Sequence, residues 1–156
     1  MTKTTTLTKT IAMVLLMTSS AVCQNVPQEP IQNTQKAVEY FANELNFKTN
    51  PYGVNKIIEA KTNNMTIVDV RAAKDFAKGH IPGAINVPYD QHNGFEGSET
   101  AFPDLRKDGF NYVYCYEHLC NLSQKAAKKF ASLGYPVKEI VGGWEAWESH
   151  KYPIAK

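Results

Sequence analysis

Cys115 is the residue best placed by type and position to do chemistry. It ends the run Asn111-Tyr112-Val113-Tyr114-Cys115, whose aromatic and β-branched content predicts a strand. A helix is expected to start about six residues further on, after the connection Tyr116-Glu117-His118-Leu119-Cys120. A loop that short, curling into a helix start, turns several unpaired backbone N–H groups toward one point. A sulfur held there sits in partial positive charge, which favours thiolate over thiol. Cysteines at helix N-termini fall from a pKa of about 8.5 to roughly 3.5–7.5. The same donors suit a sulfane sulfur carried on the cysteine, or the oxygens of a bound oxyanion. From spacing alone a second reading stands beside this one: free cysteine is often a small buried apolar residue with no chemistry.

The elements that must position this sulfur follow from hydrophobic periodicity. Met65-Thr66-Ile67-Val68-Asp69-Val70 is a compact apolar run and reads as a buried strand. A short helical stretch at residues 74–78 follows, then the turn Gly79-His80-Ile81-Pro82-Gly83, then a strand over 84–87 stopped by Pro88. Residues 90–104 are polar, glycine-bearing and irregular, and read as a long connection. Leu122, Ala126, Phe130 and Leu133 share one helical face, Asn121 with Gln124 predicts a capping box, and Gly134 closes the helix. Residues 137–141 form the next strand, Gly142-Gly143 a turn, and Trp144 and Trp147 lie one turn apart on a final helix. Phe130, Leu133, Trp144 and Trp147 are expected in the core.

Upstream, Asn33 or Thr34 caps a helix carrying Ala37, Val38, Phe41, Ala42 and Leu45 at helical spacing. Pro51 and Gly53 break the chain before a second short helix with Val54, Ile57 and Ile58. Strand, helix, strand in succession implies parallel pairing by right-handed crossovers. The fold class is α/β. In an open parallel sheet ligands collect at the carboxyl ends of the strands, and Cys115 lies at one.

Length and charge narrow the rest. The chain has 156 residues, 43% of them hydrophobic and 21% charged, with a formal net charge of +2, the range of one ordinary globular domain. Lys3 and Lys9 fall in a segment expected to be removed, and without them 15 basic residues face 15 acidic ones. A near-neutral body does not steer nucleic acid or other highly charged partners. Three cysteines exclude a disulfide-rich mini-scaffold, and the absence of paired CxxC motifs excludes a zinc ribbon.

The front end reads as a targeting segment. A basic, threonine-rich start, the apolar run Ile11-Ala12-Met13-Val14-Leu15-Leu16-Met17 and the small residues Ser19, Ser20 and Ala21 make a signal peptide over 1–21, cleaved after Ala21. A bilayer crossing needs about 20 apolar residues, so no stable membrane span is expected. The expected location is exported, periplasmic or secreted. Two alternatives stand: a lipoprotein anchor at Cys23, against which Val22 occupies the place where a small residue is wanted, and an uncleaved tail. Residues 22–32, with Pro27 and Pro30, form a linker, leaving 33–156 as a single domain.

Two runs carry a family resemblance. Ile67-Val68-Asp69-Val70-Arg71 followed by Gly79-His80-Ile81-Pro82-Gly83-Ala84-Ile85-Asn86-Val87-Pro88 resembles the front signature of the rhodanese homology domain. Val113-Tyr114-Cys115 with its loop, Gly134-Tyr135-Pro136 and Val141-Gly142-Gly143-Trp144 are similar to its back half in order and spacing. The resemblance covers roughly residues 50–155. It implies a rhodanese-like α/β domain, with a central mostly parallel sheet flanked by helices.

The resemblance also implies a sulfurtransferase. Cys115 is then the nucleophile that accepts a sulfane sulfur as a persulfide and passes it to a thiol or other nucleophile. The backbone amides of Tyr116, Glu117, His118, Leu119 and Cys120 form the cradle. In this family a six-residue loop counted from the cysteine suits sulfur, and a seven-residue loop ending in arginine suits phosphate or arsenate. Here the sixth residue is Cys120 and the seventh Asn121, so the guanidinium fork for a phosphate is missing. Asp69 and Arg71 are expected as an ion pair pinning the loop, and His80 as a hydrogen-bonded turn residue. No cofactor is implied; the partners are a small sulfur donor and a thiol acceptor, a protein thiol included.

The loop departs from the family pattern in having no internal glycine, lysine or arginine. Glu117 pointing inward would raise the Cys115 pKa and repel a dianionic donor by about 1–3 kcal/mol at about 5 Å, which sets thiosulfate apart from other donors. Cys120 is a candidate redox partner. The ends of a curled loop can come within the 4.4–6.8 Å that a disulfide needs between Cα atoms. A Cys115 persulfide resolved by Cys120 would release sulfide. The alternative to the enzyme is a non-enzymatic binding or thiol/disulfide module built on Cys115 and Cys120. A metal held by Cys115, His118 and Cys120 lacks an evident fourth ligand.

Overall fold

The apolar, β-branched runs become the strands of one sheet, and the segments with helical spacing cover it. In the computed structural model, which describes residues 33–95 and 101–156, the elements are α1 (Thr34–Phe47), β1 (Lys48–Thr49), α2 (Pro51–Glu59), β2 (Met65–Asp69), α3 (Ala73–Phe76), β3 (Ala84–Asn86), β4 (Phe110–Tyr114), α4 (Leu122–Ser132), β5 (Val137–Ile140) and α5 (Gly143–Ser149). The expected signal peptide and linker, with Cys23, lie outside the described residues. The strand order is β1-β5-β4-β2-β3 and every neighbouring pair is parallel. This is the α/β class that the alternation of strand and helix predicts.

Side chains alternate across a strand, and that decides where the sulfur goes. On β4, Tyr112 and Tyr114 face one side with Ile67, Ile140, Val54 of α2 and Trp147 of α5. Val113 faces the other, with Val68, Val70 and the α4 residues Ala126, Ala127 and Phe130. Cys115, in phase with Val113, joins the α4 side. A parallel sheet covered on both faces needs strands that are apolar throughout, and Ile67, Val68, Tyr112, Val113 and Tyr114 are all buried. Among the described residues, no helix is long and apolar enough to cross a membrane.

Several local details differ from the sequence expectations. Pro51 opens α2 instead of preceding it, because a proline's fixed φ and missing N–H suit the first helical position; Asn50 Oδ1 accepts the Gly53 N–H at 2.9 Å. The Asn121–Gln124 capping box does not form. Asn121 has φ −102° and ψ 10°, not the extended backbone of a capping residue, and Gln124 Nε2 donates to Glu139 Oε2 at 3.3 Å instead. α1 forms and is capped by Asn33, whose Oδ1 accepts the Lys36 N–H at 3.2 Å, but its apolar stripe Val38, Phe41 and Leu45 is exposed. Within the connection of residues 90–104, Phe95 and Phe102 are core residues: Phe95 lies 4.8 Å from Phe102 and 5.2 Å from Phe130 between ring centroids. Residues 96–100 lie outside the described residues.

Candidate active site

Cys115 follows β4 directly, at the carboxyl end of a strand paired with β2 on one side and β5 on the other. Its carbonyl and that of Tyr116 are gripped by the start of α5: the Trp144 N–H donates to Cys115 O at 2.9 Å and the Glu145 N–H to Tyr116 O at 2.8 Å. Such a grip needs the α5 backbone to come very close. A Cβ on Gly143 would meet Cys115 O at 2.5 Å, and Gly143 has φ +55°, so both space and conformation call for glycine. The Gly142-Gly143-Trp144 run thus holds the sulfur-bearing loop by its carbonyls.

A second set of contacts fixes the neighbouring strand end. The Arg71 guanidinium forms a bidentate pair with Asp69, Nε to Oδ1 at 3.1 Å and Nη2 to Oδ2 at 2.7 Å, and also donates to Gly79 O at 2.7 Å. Both residues are buried. Burial alone would lower the Arg71 pKa, but the hydrogen bonds and charge of Asp69 outweigh it and hold it above its ordinary value. Removing one partner from such a buried pair costs about 3–5 kcal/mol. The guanidinium lies 4.5 Å from the Trp144 ring centroid, a cation–π contact that joins β2 to the helix gripping Cys115. The Tyr116 hydroxyl accepts the Ala72 N–H at 3.1 Å and donates to Asp75 Oδ2 at 3.0 Å, which ties the loop to α3.

Cys115 is 2% exposed and lines a pocket of about 70 Å³ with Lys48, Glu117, His118, Cys120, Ser123, Gln124, Glu139 and residues 140–143. A water molecule takes about 30 Å³ of liquid volume, so the pocket matches about two waters, enough for a sulfur atom and one small group beside it. Cys115 and Cys120 are joined as a disulfide, with Cα atoms 6.5 Å apart. Cys115 Sγ lies 3.3 Å from Cys120 O and 3.5 Å from Ser123 Oγ. The Ser123 hydroxyl donates to Glu139 Oε1 at 2.9 Å, so it presents lone pairs, not its proton, to the sulfur.

Two of the five loop amides are already engaged. The Leu119 N–H donates to Glu117 Oε2 at 2.9 Å, and the Cys120 N–H to Glu117 O at 3.1 Å. Those of Tyr116, Glu117 and His118 have no hydrogen-bond acceptor among the described residues. Among the described residues lining the pocket, Lys48 is the one lysine or arginine, set against Glu117 and Glu139. Its Nζ is bound to Glu44 Oε2 at 2.6 Å. That hydrogen bond, ahead of burial and the charge of Glu139, determines the raised pKa of Lys48. A larger cavity, of about 820 Å³, opens beside Tyr116 and Leu122 and contains neither cysteine.

The structure brings Cys115, Glu117, His118 and Cys120 to one pocket, with Tyr116 and Leu119 in the same loop and Asp69 and Arg71 behind it. His80 stands apart: its Nδ1 is 3.1 Å from Phe76 O, its ring stacks on Phe76 at 3.8 Å, and its backbone pairs with Ala155. Ser123, Gln124, Glu139 and Lys48 escaped the sequence reading. Ser123 and Gln124 had a signal, lying one helical turn past Cys120. Glu139 and Lys48 had none, because they arrive from strands distant in sequence.

A sequence profile of the rhodanese-like domain matches residues 53–150. The chain belongs to the rhodanese-like family. Its rhodanese relatives include the thiosulfate sulfurtransferase GlpE of Pseudomonas aeruginosa, 34% identical over 95 residues that cover 60% of this chain and 79% of that protein. The adenylyltransferase and sulfurtransferase UBA4 of Candida albicans is 36% identical over 104 residues, which cover 65% of this chain and 23% of that protein. The chain therefore spans about a quarter of the yeast relative's length. A Bacillus halodurans protein of known crystal structure superposes with a TM-score of 0.68 at 32% identity, covering 79% of this chain and 86% of that one. The rhodanese-like fold read from the two sequence signatures is thus the fold of this chain. Both signatures converge on one place, the first supplying Arg71 and Gly79 and the second the Gly143-Trp144 grip.

Proposed function

We propose that the protein is a sulfurtransferase in which Cys115, once reduced, accepts a sulfane sulfur as a persulfide and passes it to a thiol or other nucleophile. The observation that carries this reading is the position of Cys115: at a strand end in a rhodanese-like domain, walling a pocket of about 70 Å³, and clamped through its own carbonyl. The Cys115 thiolate attacks the outer sulfur of the donor, a Cys115–sulfur bond forms and the donor's own sulfur–sulfur bond breaks, releasing a thiolate or sulfite. An acceptor thiolate then attacks the outer sulfur and returns Cys115 as the thiolate. The amides of Tyr116, Glu117 and His118 are the donors for the negative outer sulfur.

Charge bears on the choice of donor. Glu117 and Glu139 at the pocket, with Lys48 committed to Glu44, disfavour a dianion such as thiosulfate relative to a singly charged persulfide. The basic start, short apolar run and small residues before position 22 support export to a periplasmic or extracellular compartment, where disulfides persist.

Intact-mass measurement tests the reading. Reduced protein, freed of reductant, is mixed with thiosulfate or with cysteine persulfide while sulfide is measured. Sulfur is expected to be taken up, as an adduct or as released sulfide, more from the persulfide than from thiosulfate, and neither is expected with Cys115→Ser. A folded wild-type protein that takes sulfur from neither donor would leave the alternative, a binding or thiol/disulfide module.

A further inference from the structure

The disulfide between Cys115 and Cys120 is one restraint on the loop among several, since α5 holds the carbonyls of Cys115 and Tyr116 and the Tyr116 hydroxyl bonds Ala72 and Asp75. What it shows is reach: the two sulfurs bond without either Cα having to leave its place, 6.5 Å apart. Their surroundings differ. Both line the pocket, but Cys115 is 2% exposed whereas Cys120 is half-buried, its N–H tied to Glu117 O at 3.1 Å.

We propose that Cys120 is a resolving thiol, so that the protein reduces sulfane sulfur to hydrosulfide at the expense of an external dithiol. The proposal rests on the persulfide reading above and adds a second half-reaction to it. The Cys120 thiolate attacks the inner sulfur of the Cys115 persulfide. The Cys115–Cys120 bond forms, the bond to the outer sulfur breaks, and that sulfur leaves as HS⁻. With each sulfur–sulfur bond shared equally, the outer sulfur gains one electron, the Cys120 sulfur loses one and the Cys115 sulfur is unchanged. Glu117 and Glu139 at the pocket favour the departure of an anion. A dithiol then attacks the more accessible Cys120 sulfur and frees Cys115 as thiolate. Its second thiol clears the mixed disulfide, returning Cys120 and leaving the dithiol oxidised.

The step is intramolecular, and fixed neighbours react at high effective concentration. A Cys115 persulfide should therefore be short-lived in the wild-type protein and long-lived without Cys120.

The test uses the full chain with Cys23→Ser, leaving the two loop thiols as the only cysteines. The protein is reduced, freed of reductant and treated without air with one equivalent of cysteine persulfide, while sulfide and intact mass are followed. With both loop thiols present, sulfide is expected to be released and the protein to end lighter than its reduced form by two hydrogens. With Cys120→Ser, the protein should keep the added sulfur, and sulfide release should fall by at least about tenfold. Added dithiothreitol should turn the first protein over repeatedly. A wild-type loop that retains the sulfur as stably as Cys120→Ser overturns the resolving role and leaves the sulfurtransferase intact. Failure of both proteins to take up sulfur or release sulfide overturns the persulfide reading and this one with it.

Discussion

At the scale of the residue, the reactivity proposed for Cys115 depends on atoms that would never touch a substrate. Gly143 is the clearest case, since its backbone sits where a side chain would strike the carbonyl of Cys115. Gly143→Ala must either take φ near +55° with a Cβ or push α5 away from the loop, at a cost of about 1–3 kcal/mol. Chemical denaturation should show that loss, and persulfide formation at Cys115 should fall further than the loss of folded protein explains. An equal fall in the two would mean that the grip on the carbonyl serves the fold alone. Asp75 offers a test by acid. Its carboxylate is held below its usual range, first by Lys78 and next by the Tyr116 hydroxyl. Its contribution is therefore complete above the ordinary Asp value of about 3.9 and lost as pH falls through the lowered one. The thermal-unfolding gap between wild type and Asp75→Asn should be present at neutral pH and close in acid.

At the scale of the element, what was legible in the sequence was whatever its own periodicity specifies. β2, β4 and α4 follow from their apolar spacing, and the Gly142-Gly143 turn from its composition. β1 did not follow: two residues, Lys48 and Thr49, become a strand because β5 lies beside them, and no local pattern carries that. The capping box failed for the same reason, since Glu139 of β5 draws Gln124 away. The site was legible where one segment builds it, from Cys115 to Cys120. It was illegible where the sheet imports Glu139 and Lys48. α1 shows the limit of periodicity, because an amphipathic pattern predicts the helix but not what its face meets. Leu45 is 79% exposed, so Leu45→Ser should change stability by less than about 0.5 kcal/mol. A larger loss on denaturant titration would mean that this face is covered in solution.

At the scale of the whole molecule, the sheet places the strand that leads to Cys115 at the centre and its shortest strands at the margins. β4 lies between β2 and β5, with both faces covered, and the loop that follows it is reached by contacts from Ala72, α3 and α5. The outer strands are β1, of two residues, and β3, of three. Open strand margins are the templates on which proteins stack into fibrils, and short ones make poor templates. Among the described residues, the densest group of exposed apolar side chains instead lies on α1, with Val38, Tyr40, Phe41, Leu45 and Phe47, where a helix satisfies its own main chain. Crowded molecules would adhere through side chains alone, and dilution would part them.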